Sequence, residues 1–215
     1  MAAAGGIILS TGARPPAIGL WQSATGTIQV IGHGSVMAAW TRSSGRGSLI
    51  AWQRPVCRRL SCPIEITSTP SGRTLSVPSP VTDGFFLFQG GDAAFSPDGT
   101  ELAAFVSTGP LRADSAPPFL LALVNTATGA VRLVRGAVLA NGELAGWLVW
   151  LPTGTRLLAG PARNGTYPGY AIDSRTATAE PFSFFPGCCN PGTSPYDITY
   201  GAALAGSSWG RSGSR

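Results

Sequence analysis

A chain of 215 residues is long enough to form one domain with a substantial core. Its 29 glycines and 18 prolines are spread evenly, which argues against a helical protein, and its recurring aromatic and branched residues exclude a disordered one. The net charge of +5 rests on arginine alone, and Arg58-Arg59 is the only adjacent pair, so no basic run marks a nucleic-acid surface.

The elements read as short strands from the start. Residues 5–31, GGIILST and then AIGLWQSATGTIQVI, read as three strands, with Ala24-Thr25-Gly26 turning between the last two. The preceding MAAAGGIILSTGARPP lacks a basic region and has only a short apolar core, so it does not read as a signal peptide. His33, the only histidine, follows in IGHGS, where a Gly-rich turn points to a structural role.

The next unit spans 36–77: VMAAW (36–40), SLIAW (48–52), PIEITS (63–68) and RTLSV (73–77). Its loop 53–62 carries Cys57 and Cys62, spaced to close as a local disulfide clip. A long connection, 78–91, holds Phe85, Phe86 and Phe88 between Asp83 and Asp92. This acidic and aromatic cluster suits a cleft for a sugar or peptide, or else an outer strand docking on the core.

The third unit spans 92–134, with DAAF (92–95), ELAAF (101–105), FLLALVN (119–125) and AVRLV (130–134). Ser96-Pro97-Asp98-Gly99 joins its first two strands and Ala127-Thr128-Gly129 its last two, while loop 106–118 carries Arg112. The fourth unit spans 147–184, with WLVW (147–150), RLLAG (156–160), GYAIDS (169–174) and AEPFSF (179–184). Leu151-Pro152-Thr153-Gly154 forms its first turn and loop 161–168 carries Tyr167. Cys188 and Cys189 follow, then a lone strand near 200–205 and a tail, 206–215, expected to be disordered.

These units share a ruler. Phe95-Ser-Pro-Asp-Gly-Thr100 returns 55 residues later as Trp150-Leu-Pro-Thr-Gly-Thr155, and 55 residues earlier lies Trp40. A fixed period of this kind marks a repeat architecture. Alternation such as Ile64, Glu65, Ile66 or Val131, Arg132, Leu133 marks outer strands with one buried face. The first two strands of each unit are apolar on both faces, as inner strands packed between neighbouring sheets would be. Tandem four-stranded antiparallel units of this kind are the blades of a β-propeller.

AAFSPDGTELAAF followed by LALVNTATGAVRLV resembles the repeat of TolB-like and WD-type propellers. In that family the Pro-Asp-Gly turn joins strands A and B and the Thr-Gly turn joins C and D. The His and Trp-Asp signature of true WD repeats is absent, so the TolB-like kind fits better. The resemblance covers roughly residues 5–205 and implies an all-β fold. The count of strands B–D, three full blades and a last strand A fits a four-bladed ring closed by that strand. It also fits a piece of a larger, 6–8-bladed propeller, the reading favoured here.

Function is then sought in what does not repeat. The B–C and D–A connections are long and emerge at one end of each blade, which points to that end as the binding face, with neutral loop drift on an exposed surface as the alternative. Asp83, Phe85, Phe86, Asp92, Arg112 and Tyr167 are its candidate contacts. The expected role is a non-catalytic scaffold for a protein or peptide, with an accessory or catalytic propeller of a glycan- or peptide-acting enzyme, or a truncated remnant, as alternatives. Four cysteines, Cys57, Cys62, Cys188 and Cys189, favour disulfides over free thiols and a metal site, and so an exported or surface-anchored protein, with a cytoplasmic one as the alternative. No catalytic residue, cofactor or metal is expected, since there is no G-x-S-x-G elbow and only one histidine. The longest apolar run, about 8 residues near 144–151, falls short of the roughly 20 that a membrane helix needs.

Overall fold

A computed structural model describes residues 2–3, 6–10, 16–22, 25–41, 47–54, 63–69, 71–87, 93–109, 118–139, 147–160 and 169–182. Among the described residues there are sixteen strands and no helix. Blade 1 is β1 (Ala2–Ala3), β2 (Gly6–Ser10), β3 (Ala17–Gln22) and β4 (Thr27–His33). Blade 2 is β5 (Ser35–Thr41), β6 (Ser48–Gln53), β7 (Ile64–Thr69) and β8 (Thr74–Val77). Blade 3 is β9 (Ala93–Phe95), β10 (Glu101–Ser107), β11 (Phe119–Asn125) and β12 (Val131–Leu139). Blade 4 is β13 (Trp147–Trp150), β14 (Arg156–Gly160), β15 (Gly169–Asp173) and β16 (Thr178–Phe182).

Within each blade successive strands pair antiparallel in the order A, B, C, D. The A strands sit side by side, β1 against β5, β5 against β9 and β9 against β13, so the blades fan out from a common axis. The core lies between blades rather than inside one sheet. Leu102, Ala104 and Val106 of β10 face Ile64, Ile66 and Val77 of blade 2, while Ala103 and Phe105 face Leu157 and Ile172 of blade 4. A strand buried on both faces has no polar side to show, which is why ELAAF reads as apolar throughout. A smaller cluster of Ile18, Leu20, Ile50 and Trp52 joins blades 1 and 2.

The short turns follow their sequence. In blade 3 the Gly99 N–H donates to the Ser96 carbonyl at 2.9 Å, and Gly99 takes φ 74°, which its lack of a Cβ makes inexpensive. The same bond closes blade 4, from Gly154 N–H to the Leu151 carbonyl at 2.9 Å.

Four features depart from the sequence reading. The first blade has its own short strand A, β1, ahead of the expected start at residue 5, with Ala2 opposite Ile7 and Ala3 opposite Gly6. The connection from blade 1 to blade 2 is the single residue Gly34, where a Cβ would overlap the Gln53 carbonyl oxygen. Strand D of blade 3 does not stop at Val134. It passes a bulge near Gly136 (φ 85°) and runs on to Leu139, still paired with β11. There Arg135 pairs with Thr178 in parallel, so the outer strands of blades 3 and 4 join into one eight-stranded sheet.

The fourth departure concerns the aromatic cluster. Phe86 bridges to Val106, the Leu87 N–H donates to the Phe105 carbonyl at 3.0 Å and the Ser107 N–H to the Phe85 carbonyl at 2.8 Å. Residues 85–87 thus pair with the free stretch of β10 beyond β9 and prolong strand A. Phe86 is fully buried in the core between blades 2 and 3, and Phe85 packs on the core between blades 3 and 4.

Candidate functional site

The turn end of blade 2 ends in a cleft of about 720 Å³ against blade 3. Its blade 2 wall runs from Trp40 at the end of strand A, through Leu49 of strand B and Ile66 of strand C, to Leu75 of strand D. The opposite wall is the A–B turn of blade 3, Asp98 to Thr100, and its C–D turn, Asn125 to Ala127. The floor is apolar because Trp40, Leu49 and Leu75 pack, partly covered, on the interblade core. The rim is polar because turns supply it: Ser68, Ser71 and Arg73 on one side, Asp98, Thr100 and Asn125 on the other.

The cleft is held open by bonds that cross or brace it. The Trp40 indole Nε1 donates to the Pro97 carbonyl at 2.9 Å and fixes the inner end. Thr126 Oγ1 donates to the Gly99 carbonyl at 2.7 Å and ties the two turns of blade 3 together. Asn125 Oδ1 accepts from the Thr128 N–H at 2.9 Å and from Thr128 Oγ1 at 3.0 Å, which sets the second turn.

Asp98 is the carboxylate of this site. Burial opposes its ionisation, but Ser96 Oγ donates to it at 2.6 Å, the Thr100 N–H at 3.0 Å and Thr100 Oγ1 at 2.8 Å. These bonds outweigh the burial and hold the carboxyl below the usual aspartate range. All three end on Oδ1. The C–D turn of blade 4, counterpart of the Asn125 turn, uses Asp173, whose carboxyl is also held low, by the Thr176 and Arg175 N–H groups.

This cleft lies at the short-turn end, opposite the long loops to which the sequence points. Of the residues singled out there, Asp83 is an exposed turn residue with φ 59°. Phe86, fully buried, packs the core and presents no face to a ligand, and Phe85 is half-buried. Asp92, Arg112, Tyr167 and the cysteines Cys57, Cys62, Cys188 and Cys189 lie outside the described residues, as do the lone strand and the tail. His33 ends β4 and is exposed. Among the described residues no three His, Cys, Asp or Glu side chains gather where a metal ion would sit. No described helix is long and apolar enough to cross a membrane.

Arg73, Leu49 and Leu75 escaped the sequence reading. Leu75 carries the signal that could have found it, alternation within RTLSV, but the groove exists only once blade 3 is placed beside blade 2.

No family model matches the sequence, and no curated protein does. Solved structures match in shape. TolB from Acinetobacter baumannii aligns with 84% of this chain and 41% of its own, at 12% identity and TM-score 0.50. An oligogalacturonate lyase in complex with manganese aligns over 82% of this chain and 44% of its own, at 12% identity and TM-score 0.50. A protein described as TolB from Agrobacterium tumefaciens aligns over 82% and 59%, at 14% identity and TM-score 0.50. The chain therefore spans about two-fifths to three-fifths of the structures it resembles. Four-stranded blades set around a shared row of A strands, similar in shape to the TolB structures, give the chain a β-propeller fold.

Proposed function

We propose that this protein is a binding propeller that takes an extended segment of a partner protein into the cleft between blades 2 and 3. The observation that carries the reading is the shape of that cleft. It crosses four strands, three interstrand spacings or about 14 Å, which is the rise of about four residues of extended chain. Its volume of about 720 Å³, open on one side, leaves room for a short segment laid along it. An apolar floor with hydroxyls, an amide and two charges at its rim suits a peptide, whose backbone needs hydrogen bonds and whose side chains need burial. Fold alone does not choose between binding and catalysis, because propellers carry both and the matched structures include a lyase. An exported location belongs to the same reading and rests on the four cysteines.

The test is selection of peptides from a random library displayed on phage, followed by fluorescence anisotropy on the enriched sequences. Ser68 is half-covered at the edge of the cleft, and Ser68→Trp would fill the groove without touching the core. Enriched peptides should lose at least about tenfold in affinity for Ser68→Trp while its melting temperature holds. Peptides that bind the variant as tightly as the parent would place recognition elsewhere and overturn the reading.

A further inference from the structure

We infer that the cleft is polarised along its length and selects, in either chain direction, a segment in which a basic and an acidic residue flank an apolar one at two-residue spacing, with the basic residue nearest the propeller axis. This rests on the peptide-binding reading above and specifies its ligand.

The inner end is Asp98. Gly99 beside it abuts the Trp40 ring at the end of strand A, which places the carboxylate at the axial end of the groove. The donors from Ser96 and Thr100 all use Oδ1, which leaves the exposed carboxylate with acceptor capacity for an incoming cation. The side chain is exposed and its turn is already fixed, so binding there needs no rearrangement.

The outer end is Arg73, just before strand D. Its N–H is taken by Ser71 Oγ at 3.3 Å, but among the described residues its exposed guanidinium has no acceptor. Guanidinium groups pair with carboxylates through two parallel bonds, which favours an acidic side chain or chain end at that position.

Strand geometry sets the spacing. Successive side chains of an extended segment alternate, so residues i, i+2 and i+4 face the groove. Four residues rise about 13 Å, close to the three interstrand spacings between strands A and D. One of residues i and i+4 then meets Asp98 and the other meets Arg73. Residue i+2 lands midway, over Leu49 and Ile66, where an apolar side chain is buried.

The probes are three blocked heptapeptides, acetyl-Gly-Lys-Ser-Leu-Ser-Glu-Gly-amide and its two like-charged relatives, with lysine at both charged positions or glutamate at both. Calorimetric titration should give the first about fivefold tighter binding than either relative at low salt, the size expected when one partly exposed charge pair changes from attraction to repulsion. The gaps should shrink as salt rises. Arg73→Glu should move the preference to the dilysine peptide, and Asp98→Asn, which keeps an oxygen for the turn, should narrow the gap to the diglutamate one. Equal affinities of all three that Ser68→Trp abolishes would overturn the polarity and leave the peptide-binding reading standing. Probes that fail to bind at all, with library selection also empty, would overturn both. Library sequences that bind the cleft but lack the opposite charges at this spacing would overturn the polarity alone.

Discussion

The Trp40 indole covers Gly99 so closely that a Cβ at residue 99 would lie 2.8 Å from three of its ring atoms. The same indole donates to the Pro97 carbonyl at 2.9 Å. Blade 2 is thus seated on the A–B turn of blade 3 by one side chain that needs a glycine beneath it. Trp150 does the like from the other side, its Nε1 donating to the Ala94 carbonyl of blade 3 at 2.9 Å.

Gly99→Ala should therefore be costly. The left-handed backbone there adds about 1–2 kcal/mol for any residue with a Cβ, and crowding against the ring adds about 1–3 kcal/mol. Urea unfolding should show a loss of about 2–5 kcal/mol in total. In a Trp40→Ala background the crowding disappears, so the same substitution should cost at least about 1 kcal/mol less. Strict additivity of the two changes would contradict the packing described here.

Arg132 of strand D in blade 3 reaches three acceptors, Glu101 at 2.6 Å and the Ser174 and Arg175 carbonyls of blade 4 at 2.6 and 2.9 Å. A lysine ammonium cannot reproduce a planar fork that serves a carboxylate and two carbonyls together. Because the side chain is 44% exposed, the expected loss for Arg132→Lys is modest, about 1 kcal/mol, and Arg132→Ala should cost little more. Full retention of the unfolding midpoint in the lysine variant would show that charge alone suffices.

Acid stability should report Asp98. Its pKa is lowered on folding, so its contribution is fully present above the unfolded value, about 3.9, and is lost as pH falls through the lower folded value. Asp98→Asn removes that titration while keeping an oxygen acceptor. A series of urea midpoints below about pH 5 should fall less steeply for the variant, with Asp173 supplying part of the slope that remains. Parallel acid limbs would contradict the assignment.

Ile28 and Val30 of β4 are both 58% exposed, side by side on one face of the outer strand of blade 1. Apolar side chains on an outer strand invite edge pairing with other molecules. The Ile28→Lys, Val30→Lys variant should melt within about 0.5 kcal/mol of the parent and scatter less light on heating. A large drop in melting temperature would mean that these side chains are covered.

Much of the fold was legible in the sequence because its signals are local. Proline at 97, aspartate at 98 and glycine at 99 specify a turn wherever they stand, and the 55-residue spacing of Trp40, Phe95 and Trp150 repeats the blade. What escaped depends on distant partners. Nothing near Phe86 distinguishes a strand that prolongs blade 3 from a loop that greets a ligand, since the difference lies in the unpaired edge of Val106. Gly136 reads as a strand end until the register of β11 shows that the bulge carries the strand onward. The cleft was invisible for the same reason. Its floor residues look like ordinary strand positions, and its walls belong to two repeats.

The parallel join between Arg135 and Thr178 has a mechanical consequence. Blades that touch only through side chains can detach one at a time, as repeats in a linear array do. Here the rim backbones of blades 3 and 4 are stitched, with the Arg135 N–H on the Ala177 carbonyl at 2.8 Å, so neither can peel away without breaking the other's edge. Blades 3 and 4 are therefore expected to open together, as one double-width unit, in any local unfolding.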